Sequence, residues 1–302
     1  MRILLAGATG FIGSELIKQL LNDNHQLHIL SRSKKPDSAS VSYFIWDPSE
    51  NTIDLSCLKE VDAVINLAGA NVGGKRWTKA YKKEISDSRI LSTRSLLESI
   101  DKAGSNVKVF INTSATGIYG NNGGDKLVSE TAAIGNDFLS DVVRKWEQEL
   151  FNSKLEGSRK VALRLGVVFS EKGGALPMLA SPVKYGFGAP LATGKQYLSW
   201  VDLQDVVKAF SFALKNEELK GVYNIVAPDP VTNKVLTQKI AKILKRPLWL
   251  PNIPAFALKL LLGEFAESII GGSKVSSQKF TDAGFTFKYP TLESSLKQNI
   301  KT

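Results

Sequence analysis

The chain has 302 residues, which is long enough for one large α/β unit or for two lobes around a buried core. Its hydrophobic fraction of 43% and charged fraction of 23% exclude a disordered chain, and no apolar stretch approaches the ~20 residues that span a bilayer. The net charge is +10, but most of the surplus is lysine scattered along predicted helical faces, which argues against nucleic-acid binding.

Cysteine and histidine are too rare to build a metal centre or a disulfide framework. Cys57 has no second cysteine to pair with, and with only His25 and His28 beside it no zinc-type ligand cluster can form. The N-terminus enters a strand without the basic and apolar regions of a secretion signal. We therefore expect no metal, no disulfide and no membrane partner, and a cytoplasmic protein.

Short apolar, β-branched runs alternate with amphipathic helical patterns over the first two-thirds of the chain. The predicted strands cover residues 3–6, 26–31, 43–46, 63–67, 107–113 and 161–165. The predicted helices between several of them cover 15–21, 81–103 and 138–155. Strict alternation implies right-handed crossovers, and strands that are apolar throughout are buried on both faces. The sequence therefore predicts an α/β fold with a Rossmann-type, doubly wound parallel sheet.

Beyond about Gly166 the pattern changes, because glycine and proline become frequent and the elements become shorter. Residues 222–226 are a strand candidate, 232–244 a helix, and 203–214 a helix for which Asp202 is a good N-cap. Two or three terminal helices follow, so we expect a smaller C-terminal α+β substrate lobe. The expected boundaries are 1–166 with part of 195–220 for the Rossmann domain, 167–248 for mixed substrate-side segments, and 249–298 for a small helical domain.

A glycine-rich turn follows the first predicted strand and opens the first helix. Its first glycine permits a tight turn, the second lets the backbone approach a pyrophosphate, and the third lets the helix pack on the sheet. The phosphates would lie at the helix N-terminus, where unpaired N–H groups favour anions. The alternative is a turn that needs glycine only for its conformation. The residues expected to contact a dinucleotide are Gly7, Thr9, Gly10, Phe11, Ile12 and Gly13.

The end of the second predicted strand discriminates between the two nicotinamide dinucleotides. NAD sites place an acidic residue there to hold the ribose 2′-hydroxyl. Here Ser31 and Arg32 stand instead, and a guanidinium with neighbouring hydroxyls suits a 2′-phosphate. The sequence therefore favours NADP(H) over NAD(H). Asp47, after the third strand, is placed to meet the adenine edge, although it could equally be a turn residue before Pro48.

The segment Asn66-Leu67-Ala68-Gly69 closes the predicted fourth strand. With the glycine turn and the segment SATGIYG at 114–120, it resembles the extended short-chain dehydrogenase/reductase superfamily, which includes nucleotide-sugar epimerases and dehydratases. The resemblance covers nearly the whole chain. The segments RWT, SRI, TSATGIYG and RKWE, at 76–78, 88–90, 113–120 and 144–147, narrow it to an atypical branch, the YfcH-like epimerase family proteins. Segments at 262–264 and 283–292 resemble the small domain of unknown function that closes these proteins.

The resemblance also defines what is missing. In that superfamily a serine orients the substrate, and the tyrosine of a Tyr-x-x-x-Lys motif acts as acid and base because the lysine on the same helix face lowers its pKa. None of the tyrosines, at 43, 81, 119, 185, 197, 223 and 289, has a lysine four residues later. The catalytic helix carries Leu139-Ser-Asp-Val-Val143 at that place, and Arg89 replaces the asparagine expected in the preceding helix. Standard tyrosine-dependent hydride chemistry is therefore not supported.

Ser114 falls at the superfamily serine, and Gly117 resembles an insertion that could turn Tyr119 toward the nicotinamide. We therefore expect Ser114 and Tyr119 to polarise a carbonyl or hydroxyl, with Arg89 or Lys145 supplying positive charge. The alternative is that Tyr119 packs in a loop and that Arg89 is an ion-pair partner on the helix surface.

The remaining predicted ligand contacts come from several segments. The resemblance implies that Arg164 lies on a strand facing the nicotinamide side. Leu67, Ala68, Gly69 and Arg89 are also expected to contact the cofactor. Trp77, Trp146 and Trp200 could line a substrate pocket, although core packing explains any one of them about as well.

Two classes of function fit these observations. The first is an NADP(H)-dependent oxidoreductase or epimerase acting on an unidentified small substrate. The second is a non-catalytic dinucleotide-binding regulatory protein, since some relatives of this branch are linked to plastid or bacterial cell division. The resemblance leaves a monomer and a homodimer open, because the two long helices often pair across a two-fold axis in this superfamily.

Overall fold

The computed structural model describes residues 1–121 and 124–301. Its strands are, in chain order, β1 (Arg2–Ala6), β2 (Gln26–Ser31), β3 (Val41–Asp47), β4 (Thr52–Ile53), β5 (Ala63–Asn66), β6 (Val109–Ala115), β7 (Leu127–Val128), β8 (Arg159–Leu165), β9 (Val167–Ser170), β10 (Gly173–Gly174), β11 (Tyr197–Leu198), β12 (Trp200–Asp202), β13 (Gly221–Ile225), β14 (Val231–Thr232) and β15 (Lys274–Val275). Its helices are α1 (Phe11–Asn22), α2 (Lys79–Ala103), α3 (Phe138–Phe151), α4 (Leu176–Lys184), α5 (Leu203–Lys215), α6 (Asn233–Leu244), α7 (Ala255–Leu262), α8 (Ala266–Ile270), α9 (Gln278–Asp282) and α10 (Leu292–Asn299).

The main sheet has the strand order β13–β8–β6–β5–β1–β2–β3–β4 within the residues described. All neighbouring pairs are parallel except β3 with β4. The chain runs from β1 outward through β2 and β3, then returns to the other side of β1 for β5, β6 and β8. The order therefore reverses between β1 and β5, and ligands of open α/β sheets bind outside the carboxyl ends of the strands at such a point. The predicted doubly wound sheet is confirmed.

Helices cover both faces of this sheet and bury the apolar side chains of its strands on both sides. On one face α1 and α5 contribute Leu16, Leu20, Val206 and Phe210 to the core. On the other face α2 and α3 contribute, among others, Leu96, Ile100 and Leu150. No described helix has both the length and the apolar character needed to cross a membrane.

The second lobe is built on a small sheet that the sequence pattern did not reveal. Strand β12 pairs with β9 in parallel, and β10 pairs with β9 as a short hairpin. Strands this short carry little alternation, so their pairing depends on contacts between distant parts of the chain. Helices α4, α6 and α10 pack around this sheet and bury Leu176, Leu236, Ile240 and Leu296.

Two buried carboxylates at the start of α5 anchor the C-terminal segment. Asp202 caps the helix, as predicted, by accepting from the Gln204 N–H at 2.9 Å, and it also accepts from the Ser295 hydroxyl at 2.7 Å. Asp205 accepts from the backbone N–H groups of Lys288 and Tyr289 at 2.6 and 2.9 Å. These bonds tie the segment before α10, and α10 itself, to the Rossmann half.

Candidate functional site

The glycine turn lies where the strand order reverses, between the carboxyl ends of β1 and β5. Gly7 has φ of 75°, and a Cβ there would come within 2.5 Å of the Leu67 carbonyl carbon. A Cβ on Gly13 would meet the Gly7 carbonyl oxygen, also at 2.5 Å. Gly7 is therefore required by both conformation and close approach, and Gly13 by close approach alone. Thr9 and Gly10 are exposed at the start of α1, so the helix N-terminus faces the open crevice.

A glycine hairpin covers this turn, and sequence reasoning missed it. A Cβ on Gly173 would lie 3.0 Å from the Phe11 ring, so the hairpin of β9 and β10 packs directly on the turn. Lys172, at the hairpin tip, forms an exposed ion pair with Glu15 of α1 at 3.2 Å. A cavity of about 240 Å³ remains between them, lined in part by Thr9, Gly10 and Lys172. The consecutive glycines at 173 and 174 were the one sequence feature that could have indicated this hairpin.

The carboxyl end of β2 presents Ser31 and Arg32 as predicted. The Ser31 hydroxyl donates to the Ser33 carbonyl at 2.5 Å, and Arg32 is exposed. Asp47 accepts from the Ser49 hydroxyl at 2.5 Å and from the Ser49 N–H at 2.9 Å. The hydrogen bond from the Ser49 hydroxyl lowers the pKa of Asp47. Asp47 therefore forms the turn after β3, one of its two predicted roles.

A buried amide network shapes the loop after β5. The Asn66 side chain donates to Asn112 at 2.9 Å and to Thr93 at 3.0 Å, and its oxygen accepts from the Ala68 N–H at 3.0 Å. Since Asn66 is fully buried, these bonds satisfy a polar group that would otherwise destabilise the core. The network fixes the backbone of Leu67, Ala68 and Gly69 at the edge of the crevice. Its only sequence signal was an asparagine ending each of two apolar runs.

Arg89 is half-buried beside this loop and has no carboxylate partner in the described residues. Its guanidinium carbon lies 5.4 Å from the centre of the Trp146 ring and 3.2 Å from the position that a Gly69 Cβ would take. Nη1 donates to the Ile85 carbonyl at 2.9 Å, the one bond that the side chain makes within the described chain. Burial lowers the pKa of Arg89 to about 10. The predicted alternative, an ion pair on the helix surface, is wrong.

Arg164 has the opposite environment, a complete set of internal partners. Its Nε and Nη2 donate to the two Glu147 oxygens at 2.8 and 2.7 Å, and Nη1 donates to the Tyr119 hydroxyl at 2.9 Å. Burial alone would lower the pKa of Arg164, but the hydrogen bonds and charge of Glu147 outweigh it, so the pKa is raised. Arg164 and Glu147 are 6% and 7% exposed, which makes this a buried, bidentate ion pair.

The two predicted catalytic hydroxyls belong to this same network. Ser114 donates to Glu147 at 2.6 Å, and Tyr119 donates to Asn224 at 2.7 Å. Each residue is 1% exposed. Burial raises the pKa of Tyr119, and the neighbouring Arg164 only partly offsets that effect. The structure therefore brings Ser114, Tyr119 and Arg164 together, but with their polar atoms directed at one another.

The three tryptophans do not share one pocket. Trp200 is fully buried, stacks on Phe169 and donates to the Asp229 carbonyl, so its predicted place in a substrate pocket is wrong. Trp146 donates to Thr93 at 2.9 Å and carries Arg89 on its ring. Trp77 contacts Phe138 and Phe265, which joins α2 and α3 to the C-terminal segment.

The side of α3 that packs against the loop after β6 is apolar. The Leu139 Cβ lies 3.6 Å from the place that a Gly117 Cβ would take, which puts α3 against the loop after β6. Val143, four residues later, is buried with Ile118 and Tyr119. In the described ranges no group of histidine, cysteine or acidic side chains is arranged to hold a metal ion.

Comparison with known proteins places these features in a family. The model of the NAD dependent epimerase/dehydratase family matches residues 3–226, and that of a domain of unknown function, DUF1731, matches residues 253–298. The chain belongs to the NAD dependent epimerase/dehydratase family. The resemblance stated from the motifs is thereby confirmed.

Relatives in this family match the chain over almost its whole length. The epimerase family protein YfhF of Bacillus subtilis is 36% identical, with 99% of this chain and 98% of the relative covered. A chloroplastic epimerase family protein of Arabidopsis thaliana, the SDR39U1 homologue, is 35% identical, with 98% and 86% covered.

Solved structures of the family share the fold. Human epimerase family protein SDR39U1, determined with NADPH, superimposes with a TM-score of 0.87 at 28% identity, with 99% of this chain and 98% of that chain covered. A UDP-glucose 4-epimerase of Thermotoga maritima superimposes with a TM-score of 0.76 at 20% identity, with 99% and 97% covered, which supports the fold alone.

Proposed function

We propose that this family member binds NADP(H) in the crevice between β1 and β5. The observation that carries the proposal is the combination of an exposed helix N-terminus behind Gly7 with Arg32, rather than an acid, at the end of β2. The helix N-terminus suits the pyrophosphate, and the exposed guanidinium suits the 2′-phosphate. The similarity to human SDR39U1, a protein crystallised with NADPH, supports the same choice.

The cofactor-bound protein would act as an oxidoreductase or epimerase on a small substrate, the chemistry that the family name indicates. The substrate would enter beside Gly69 and Arg89, at the carboxyl ends of β5 and β6. The resemblance puts Leu139 and Val143 at the places of the usual pair, so proton transfer would use another group. Ser114 and Tyr119 stay the predicted catalytic residues, and a cytoplasmic location stays a prediction.

Calorimetric titration with NADPH and NADH tests the cofactor assignment. We expect wild-type protein to bind NADPH tighter than NADH by about tenfold or more, since charge-assisted hydrogen bonds hold the 2′-phosphate. Arg32→Asp should lose or reverse that preference. Arg246→Asp makes the same charge change at another exposed arginine and should keep it. Equal affinity of wild-type protein and Arg32→Asp for NADPH would contradict the assignment.

A second function, non-catalytic regulation, is favoured by one specific observation. Ser114 and Tyr119, the hydroxyls that would do the chemistry, are buried and donate to internal acceptors. In that case NADPH would bind stoichiometrically and its absorbance at 340 nm would stay constant with every carbonyl substrate supplied. An oxidoreductase would instead consume it. Should turnover be found, Tyr119→Phe separates the roles, because full turnover in that variant excludes Tyr119 as acid or base.

A further inference from the structure

Arg89 is a half-buried charged side chain whose charge nothing in the described chain neutralises. A guanidinium has five N–H donors, and among the described residues this one makes a single hydrogen bond, from Nη1 to the Ile85 carbonyl. Buried arginines are stable when paired, as Arg164 is with Glu147. The Trp146 ring compensates only a small part of the lost hydration, since a cation–π contact is weak beside the cost of removing a cation from water.

The surroundings of Arg89 place its guanidinium at the edge of the crevice. The guanidinium lies against Gly69, which is exposed and follows β5 by three residues. Ser88 accepts from the Ala70 N–H at 2.9 Å, so α2 also fixes the loop next to Arg89. Ile85, one turn earlier on α2, belongs to an apolar cluster with Trp77, Tyr81 and Val142. An anion that reaches Arg89 would therefore meet it beside apolar side chains, where the attraction is stronger than in open water.

The phosphates of the dinucleotide have other partners in this fold. The pyrophosphate belongs at the N-terminus of α1 and the 2′-phosphate beside Arg32, on the side of β1 where β2 lies. Arg89 lies on the opposite side, at the end of β5 toward β6 and α3. The nicotinamide half of the cofactor carries no further phosphate, so the cofactor leaves Arg89 without a negatively charged partner.

We propose that Arg89 binds an oxyanion of a second ligand, which makes the substrate a small carboxylate- or phosphate-bearing molecule. The Nε and Nη2 edge matches the two oxygens of a carboxylate or phosphate in a bidentate geometry. The identification of the second ligand as the substrate, and the exclusion of the cofactor's phosphates, rest on the proposed function. The proposal also accounts for the presence of a cation at a position where it makes no ion pair with any described residue.

Titration with simple oxyanions tests the proposal directly. Oxalate and inorganic phosphate serve as carboxylate and phosphate probes, each titrated by calorimetry into protein with and without saturating NADPH. Arg89→Met removes the guanidinium and keeps an apolar stem. Arg94→Met is the matched control, because Arg94 lies on the same helix but is exposed and pairs with Glu149 on the surface. We expect wild-type protein and Arg94→Met to bind a probe saturably with NADPH present, and Arg89→Met to bind it about tenfold or more weakly.

The same experiment separates the sources of the anion. Any contact of Arg89 with the cofactor, as predicted from the sequence, would be with an uncharged group, so Arg89→Met should lose less than about threefold in NADPH affinity, well under 1.4 kcal/mol. A tenfold loss of NADPH affinity in Arg89→Met, with the probes competing against NADPH, would assign the guanidinium to the cofactor and overturn the proposal. Equal probe binding by Arg89→Met and wild-type protein would also overturn the proposal, since the probe would then be an adventitious ion only. The absence of saturable probe binding by wild-type protein would overturn it as well.

Failure of the cofactor assignment would be recognised separately. In that event neither NADPH nor NADH binds, while oxalate still binds the cofactor-free protein and loses affinity in Arg89→Met. Arg89→Lys provides a second check, because a lysine keeps the charge but not the planar fork. We expect it to bind the probes with an affinity between those of wild-type protein and Arg89→Met, and an affinity as low as that of Arg89→Met would contradict a charge-based site.

Discussion

Two arginines approach the same end of the sheet, and their surroundings differ in almost every respect. Arg164 meets both oxygens of Glu147 and the hydroxyl of Tyr119, so its charge and its donors are accounted for inside the protein. Arg89 meets one backbone carbonyl and the face of Trp146. A side chain whose partners are all internal stabilises and orients its neighbours. A side chain left without a counter-charge is arranged for something that binds.

The difference extends to the residues around each arginine. Ser114 and Tyr119 lie on the Arg164 side, where burial and hydrogen bonding leave them 1% exposed. Gly69 and the backbone held by Asn66 lie on the Arg89 side, at the open edge of the crevice. Ligand chemistry is therefore expected on the Arg89 side, and rigidity on the Arg164 side.

The largest effect, on the free energy of unfolding, is expected when the ion pair between Arg164 and Glu147 is removed. Glu147→Gln leaves the Arg164 guanidinium buried without a counter-charge, which should lower the free energy of unfolding by about 3–5 kcal/mol. Urea denaturation measures it. Glu149→Gln is the matched control two residues away, because its partner Arg94 is exposed and such pairs contribute about 0–1 kcal/mol. Similar losses of unfolding free energy in the two variants would mean that the buried pair stabilises the protein no more than the surface pair does.

A smaller effect, on NADPH affinity, is expected when the glycine turn at the crevice is changed. Gly7→Ala places a Cβ 2.5 Å from the Leu67 carbonyl carbon at φ of 75°, so the loop must move and NADPH affinity should fall about tenfold or more. Gly157 has nearly the same φ, 76°, with no atom within 4 Å of its Cβ position. Gly157→Ala should therefore share the backbone strain and keep full affinity. If both variants lost NADPH affinity, the cause would be lower stability of the fold and not the contact between Gly7 and Leu67.

The smallest effect concerns pH. Because burial raises the pKa of Tyr119, the folded state holds this proton more tightly than the unfolded state. Its contribution to stability is fully present below the unfolded pKa of about 10 and is lost as the pH rises toward the folded pKa. The free energy of unfolding of wild-type protein should thus decline more steeply above pH ~10 than that of Tyr119→Phe. Parallel slopes would show that Tyr119 ionises as freely as an exposed phenol.

Local signals predicted the sheet and the cofactor turn. β-Branched runs, the spacing of Gly7, Gly10 and Gly13, and the capping residue Asp202 each act within a few neighbouring residues, and the structure contains the corresponding elements. The domain boundaries and the contacts of each predicted cofactor residue stay predictions.

The remainder depends on contacts that sequence spacing does not show. Glu147 reaches Arg164 across 17 residues and Ser114 across 33, and Tyr119 reaches Asn224 across 105. None of these residues belongs to a pattern that specifies its partner. The hairpin over Phe11 and the small sheet of β9, β10 and β12 were missed for the same reason, since strands of two to four residues have too little periodicity.

The contrast between the two arginines is tested most directly by urea denaturation of Arg89→Met beside Arg164→Met. Removing Arg164 leaves Glu147 buried and unpaired, so we expect a loss of about 3–5 kcal/mol in the free energy of unfolding. Removing Arg89 takes away a cation that has no carboxylate partner among the described residues, so Arg89→Met should unfold within about 1 kcal/mol of wild-type protein or be more stable. A loss in Arg89→Met as large as that in Arg164→Met would contradict the distinction and make both arginines structural.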